Sequence, residues 1–162
     1  MLKTAEQFWA EFLDENPQID RSTPYQVWYF SNKSESAREL AGLVLIGKKT
    51  ATASLKVVNE IEPEKAPIAD GYSVVTSFEG EPVCVVRTTE IRHLPFNEVD
   101  AQFASDEGEG DQSLEYWRRV HWDYFSREAP QYGLEFDENS IICCEQFRLL
   151  YPSNDSDQGP TE

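Results

Sequence analysis

A short turn in the first third of the chain, Gly47-Lys48-Lys49-Thr50-Ala51-Thr52, sets two ammonium groups beside a run of hydroxyls. In a strand starting at Thr50, the side chains of Thr50, Thr52 and Ser54 face one side and those of Ala51, Ala53 and Leu55 the other. The three hydroxyls span about 13 Å at about 3.3 Å per residue. Such a stripe suits water or a polar ligand, not a core. A threonine that attacks a carbonyl needs a base to take its proton. Lys49 serves as that base only when neutral, its pKa lowered from about 10.4 toward 7, a differential of about 4–5 kcal/mol. Acidic neighbours oppose the shift, but most lie beyond a screening length of about 8 Å, so desolvation in a closed pocket has to dominate. A charged Lys49 instead clamps an oxyanion or a phosphate. From the residues alone, a solvated strand face and a helix-terminal lysine complementing the dipole describe the same pattern.

A second concentration of chemistry lies at residues 106–111, Asp-Glu-Gly-Glu-Gly-Asp. It fails the calcium-loop template, because its glycines are misplaced and Trp117 stands where the twelfth-position glutamate belongs. The expectation is a flexible acidic loop that lends one carboxylate, Glu107 or Glu109, to a site or acts as a lid. His93 and His121 are the two histidines, with no third ligand near either in sequence, so a packed or surface role is expected. Cys84, Cys143 and Cys144 are odd in number and show no paired-ligand spacing, which points to free core thiols. No metal and no cofactor are expected. Trp28, Tyr116 and Trp122 are the aromatics placed to stack a nucleobase, worth about 1–3 kcal/mol per base.

The elements that must hold these groups follow from periodicity and caps. Residues 4–15 read as an amphipathic helix with a Thr4/Gln7 capping box and Phe8, Trp9, Phe12 and Leu13 on one face. A strand is expected over 25–30, and a helix from Ser36 that carries Leu40, Leu43 and Val44 and stops at Gly47. Strands are expected over 50–58, 72–78, 82–91 and 140–150, with a hairpin turn at 79–81 and a loop at 60–67. A helix over 113–128 carries Leu114, Trp117, Val120, His121, Tyr124 and Phe125 as its stripe. Strands interrupted by helices, without strict alternation, favour an α+β fold or a small barrel with flanking helices. Residues 152–162 read as a polar, disordered tail.

Trp28-x-Phe30 and the run Ala41-x-Leu43-Val44-x-x-Gly47-x-Lys49-Thr50-Ala51-Thr52-Ala53-Ser54 resemble the ASCH family. So do Pro82-Val83-Cys84-Val85, Pro95-Phe96 and Glu107-Gly108-Glu109-Gly110-Asp111-x-Ser113-Leu114-Glu115-x-Trp117. The resemblance implies a PUA-like small β-barrel with flanking helices over residues 25–151, preceded by an accessory helix and linker at 1–24. It implies a link to RNA and modified nucleosides. One branch of the family hydrolyses the amide of N(4)-acetylcytidine, and the resemblance places its lysine on Lys49, its threonine on Thr52 and its glutamate on Glu107, with Glu109 as the fallback. In those roles Thr52 is the nucleophile, Lys49 the base and Glu107 the proton shuttle, with Trp28, Lys48, Thr50, Ser54 and Glu109 contacting the ligand. Another member is a ribonuclease. The family often carries an arginine two residues after the threonine, where this chain has Ser54, which removes a bidentate clamp for a carboxylate or phosphate.

Charge narrows the ligand. The 162 residues hold 30 acidic against 14 basic side chains, a net charge of −16. Affinity for a long polyanion comes from cations that replace its counterions, so extended DNA is not expected as a partner. A small nucleoside-like ligand or a short RNA fits better. Three readings stand: an amidohydrolase on a small acylated nucleoside, an RNA-binding module or ribonuclease using Lys48, Lys49, Arg118 and Arg119, and a noncatalytic ligand sensor. No apolar run approaches the roughly 20 residues that cross a bilayer and no secretory leader is apparent, so the expected setting is cytoplasmic, away from membranes.

Overall fold

The computed structural model describes residues 2–31 and 33–152. The expected disordered tail lies, apart from Pro152, outside the described residues. Helix α1 (Ala5–Asp14) starts at the expected capping box, in which Gln7 N donates to Thr4 Oγ1 and Thr4 N donates to Gln7 Oε1. It buries Trp9, Phe12 and Leu13. Strand β1 (Tyr25–Trp28) leads to helix α2 (Ser34–Leu45), which begins two residues earlier than its Ser36 signal. Strand β2 (Ala51–Leu55) gives way at once to helix α3 (Lys56–Ile61). The sequence expectation of one strand over 50–58 is therefore too long by a helical turn. Asn59 Nδ2 reaches back 3.0 Å to Ser54 Oγ and fixes that turn.

Strands β3 (Tyr72–Thr76) and β4 (Pro82–Pro95) form the expected hairpin. Helix α4 (Ala101–Glu107) was not foreseen: Asp100 caps it by accepting from Phe103 N at 2.8 Å, and Gly108 ends it at φ +70°. With only seven residues, it shows too little periodicity to read from sequence. Helix α5 (Leu114–Glu128) starts at Ser113, whose hydroxyl accepts from Tyr116 N. Strand β5 (Ile141–Tyr151) completes the sheet.

The five strands run in the order β1-β3-β4-β5-β2. Only the β1–β3 pair is parallel; the other three ladders are antiparallel. Strands β1 and β2 are the sheet's edges. The architecture is α+β, a barrel-like mixed sheet flanked by helices, which matches the expected fold. On one side Ala51, Leu55, Ile142 and Cys144 pack with Phe103, Trp117 and Phe125 of α4 and α5. Val75, Cys84, Val86 and Phe147 pack with Phe30 and with Ala41 and Val44 of α2. Helix α1 covers Val74 and Val85. Both faces of β5 are thus covered at its centre, which buries Cys143 and Cys144 alike; they and Cys84 are free thiols.

Candidate functional site

Helix α2 ends in a tight reversal. Gly47 takes φ +80°, and the amides of Lys48 and Lys49 both donate to Leu43 O. Two backbone bonds then pin the next residue between two elements: Thr50 N donates to Asp106 O at 2.8 Å, and Phe147 N donates to Thr50 O at 2.9 Å. The C-terminus of α4 can come this close because residue 108 is glycine. A Cβ there would stand 2.2 Å from Lys48 O. The result directs Lys49 inward under the last turn of α4 while Lys48 stays exposed.

Lys49 is 1 % exposed. Its Nζ donates 2.7 Å bonds to Glu107 Oε1 and Glu109 Oε2 and stands 5.1 Å from the centre of the Phe30 ring. Glu107, also 1 % exposed, is the hub. Its second oxygen accepts from Trp117 Nε1 at 2.8 Å and faces His121 Nε2 at 3.3 Å. The His121 ring stacks on Trp117 at 4.2 Å, and its Nδ1 is held 2.9 Å from Trp117 O. Isolated charges buried this deeply cost several kcal/mol each. Here every charge has a partner of opposite sign.

Protonation follows from that pairing. Burial alone pushes the Lys49 ammonium toward the neutral amine, but Glu107 and Glu109 outweigh it and hold its pKa above the ordinary value. Burial likewise disfavours ionised Glu107, yet Lys49 and His121 keep it far below the usual carboxylate range. Glu109 behaves oppositely: burial, helped by the neighbouring Glu107 charge, raises it despite Lys49. Burial lowers His121, and the Glu107 carboxylate more than reverses this. The resting site is therefore a lysine ammonium on an ionised Glu107. These directions favour an ammonium at Lys49 and a carboxylate at Glu107, against the neutral base and the proton shuttle expected from sequence, and bias Glu109 toward its neutral form.

The acidic segment is part helix and part loop: residues 108–113 are the loop, which lends the Glu109 carboxylate to Lys49. Glu107 ends a helix, and Gly110 lies so close to the Tyr116 ring that a Cβ would come within 2.5 Å of it. The hydroxyl stripe takes the opposite side of β2 from Ala51 and Leu55. Thr50 Oγ1 donates to Asp106 O at 3.3 Å, and Ser54 Oγ is occupied by Asn59. Thr52 makes no hydrogen bond to Lys49, Glu107 or Glu109; it sits directly across the ladder from Glu145. Trp28 is half-buried, edge-on to Phe30 at 5.0 Å, and so borders the ring under Lys49. Tyr116 and Trp122 are engaged elsewhere, on Gly110 and against Phe96 and Phe136.

Sequence reasoning missed the part that two residues play in the site. His121, expected in a packed or surface role, packs on Trp117 and also faces Glu107, toward which its place four after Trp117 on the apolar face aims it. Glu145 is a buried carboxylate in the centre of β5, 2.6 Å from Thr88 Oγ1. Its signal was a lone acid inside the run Ile141-Ile-Cys-Cys-Glu-Gln-Phe147. Burial pushes its pKa to about 6, against the opposing bond from Thr88 and the pull of the Lys49 charge. His93 is exposed, and among the described residues no three His, Cys, Asp or Glu side chains group as a metal site. Two clefts lie elsewhere, one along Leu55, Leu134 and Phe136 and the other along Phe12, Arg87 and Arg148. The lysine cluster is closed at rest, with Glu109 as its most exposed member.

A barrel-like α+β sheet with a GxKxxT turn leading into its edge strand, the turn's lysine paired with a carboxylate from α4, is a PUA-like fold. The ASCH domain model matches residues 26–151, and the chain belongs to the ASCH family. It is similar to the ASCH domain from Lactobacillus crispatus JV V101: 31 % identity, TM-score 0.80, over 90 % of this chain and 92 % of that one. It is also similar to a protein from Enterococcus faecalis V583: 34 % identity, TM-score 0.79, over 93 % of this chain and 94 % of that one. A hypothetical protein at 12 % identity and TM-score 0.51 shares the fold alone. No curated protein matches the chain at a significant level. Among the described residues no helix is long and apolar enough to cross a membrane.

Proposed function

We propose that the chain hydrolyses the amide of a small acylated nucleoside, of which N(4)-acetylcytidine is the type. The observation that carries this reading is the fully buried Lys49–Glu107 pair, joined by Glu109 and His121, beside a strand edge that presents Thr52. Replacing such a pair by apolar residues is often neutral or stabilising for a fold. A desolvated ammonium at the head of the strand that carries Thr52 suits an acyl-transfer site instead, because it meets the negative charge that develops on a carbonyl oxygen.

Thr52 is the nucleophile. Lys49, charged at rest, holds the oxyanion, and Glu107 holds Lys49 with help from Trp117 and His121. Glu109, whose carboxyl is biased toward its neutral form, supplies a proton to the leaving amine. The Phe30 ring and the Trp28 edge offer the base an apolar wall. The ribonuclease alternative draws less support. Arg118 donates to the carbonyls of Asn97 and Val99, and Arg119 lies over the Tyr116 ring.

Incubation with N(4)-acetylcytidine, followed by chromatographic measurement of cytidine, tests the proposal. Wild type releases cytidine catalytically, and Thr52→Val and Lys49→Ala each lower the rate by about 100-fold or more. No turnover by wild type, or full turnover by either variant, overturns it.

A further inference from the structure

With Lys49 held as an ammonium, the reading above leaves the Thr52 proton without an acceptor, and the following inference rests on Thr52 being the nucleophile. The geometry points to Glu145 as the general base that activates Thr52. The two residues are direct partners in the β2–β5 ladder, so their side chains leave the sheet on the same side, with Cβ atoms about 4.5–5.5 Å apart. Glu145 is 7 % exposed. Its Oε2 accepts from Thr88 Oγ1 at 2.6 Å, and among the described residues Oε1 accepts no hydrogen bond. A buried carboxylate with one committed oxygen and one uncommitted oxygen is expensive to keep for stability alone. Beside a hydroxyl nucleophile it has a use: Thr88 fixes the carboxylate, and the uncommitted oxygen is there to take a proton. Hydrogen bonds of this kind are often long before substrate binds and tighten afterwards.

The groups that face Glu145 fit the role. Lys49, from the turn before β2, is the charged neighbour and favours the carboxylate. Thr88 on β4 and Thr52 on β2 are uncharged. Cys143, two residues along β5, has its thiol pushed up to about 11 and is neutral at physiological pH. Burial places the Glu145 titration at about 6, so the group is ionised at neutral pH yet basic enough to accept a proton. In the step, the Thr52 oxygen forms a bond to the acyl carbon and its proton passes to Glu145. The carbonyl oxygen takes the charge and is held by Lys49. Collapse expels the amine, which receives a proton from Glu109. Water then attacks the ester and gives a proton to the Glu109 carboxylate, while the Thr52 oxygen leaves with the proton held by Glu145; the carboxylic acid is released and both carboxyl groups return to their starting states.

The test uses an acyl donor that does not depend on the nucleoside reading. Wild-type protein is treated with 4-nitrophenyl acetate between pH 4.5 and 8.5, and acetylation of Thr52 is followed by peptide mass spectrometry. The expected result is Thr52 acetylation that falls away below a pH of about 6. In Glu145→Gln, which keeps the bond from Thr88, acetylation slows by about 100-fold or more and that acid limb is lost. Thr88→Val removes the bond that favours the carboxylate and moves the limb to higher pH. An unmodified Thr52, or equal rates and the same pH profile in Glu145→Gln, overturns the inference. Should Thr52 acetylate as expected while N(4)-acetylcytidine stays intact, the nucleoside reading fails and the role of Glu145 stands.

Discussion

Lys49→Met removes one charge from a sealed cluster and retains nearly the whole side-chain volume. Glu107 and Glu109 both lose their 2.7 Å partner, and Glu107 keeps only Trp117 and His121. Breaking a buried pair by deleting one partner costs about 3–5 kcal/mol, a large fraction of the about 5–15 kcal/mol that holds a domain folded. The pH dependence identifies the cause. In wild type the depressed Glu107 pKa contributes stability that is present above the unfolded value near 4.5 and lost as pH falls through the folded value. In the variant, buried carboxylates without the cation titrate high, as Glu145 does at about 6. The variant then regains stability on acidification, by about 1–3 kcal/mol between pH 7.5 and pH 5 at about 1.4 kcal/mol per pH unit per group. Urea unfolding followed by tryptophan fluorescence at the two pH values measures it. A deficit below about 1 kcal/mol at pH 7.5, or one that grows on acidification, refutes the reasoning.

Three further outcomes follow from the same contacts. His121, raised by Glu107, titrates above 6.5 by NMR, so the stability it lends is present below 6.5 and is lost as pH rises through its folded value; Glu107→Gln brings its pKa down. Glu145→Gln increases stability by about 2 kcal/mol at pH 7.5 and leaves it unchanged near pH 4, because the raised acid costs stability only once pH passes from 4.5 through about 6; an equal effect at both pH values contradicts this. Gly108→Ala forces a Cβ to 2.2 Å from Lys48 O at φ +70°, which lowers the urea-derived stability by at least about 2 kcal/mol.

Caps and long periodic runs were readable from sequence because their signals are local. Thr4 with Gln7 and Ser113 before Leu114 each mark a helix start through groups within three residues. The hairpin of β3 and β4 follows from apolar strands around Glu79-Gly80-Glu81, and Gly47 marks the stop of α2. The helix Lys56–Ile61 was not readable, since Lys-Val-Val-Asn-Glu-Ile carries β-branched residues and continues a strand pattern. What turns it is the long-range cover over β2 and the Asn59–Ser54 bond. Of the site, the turn that presents Lys49 was legible, and so was the acidic segment containing its partners. Protonation was not. It depends on Glu107 being carried by a seven-residue helix onto Lys49, 58 residues away in sequence, and no local pattern encodes that approach. Glu145 shows the same limit: its neighbours Thr52 and Thr88 lie on two other strands.

The most direct measurement is a crystal structure of Thr52→Val soaked with N(4)-acetylcytidine. The account predicts the acetyl oxygen within hydrogen-bonding distance of Lys49 Nζ, the carbonyl carbon facing residue 52, and the base against Phe30 and Trp28. A ligand bound with its acetyl group turned away from Lys49, or seated in either of the two distant clefts, would contradict it.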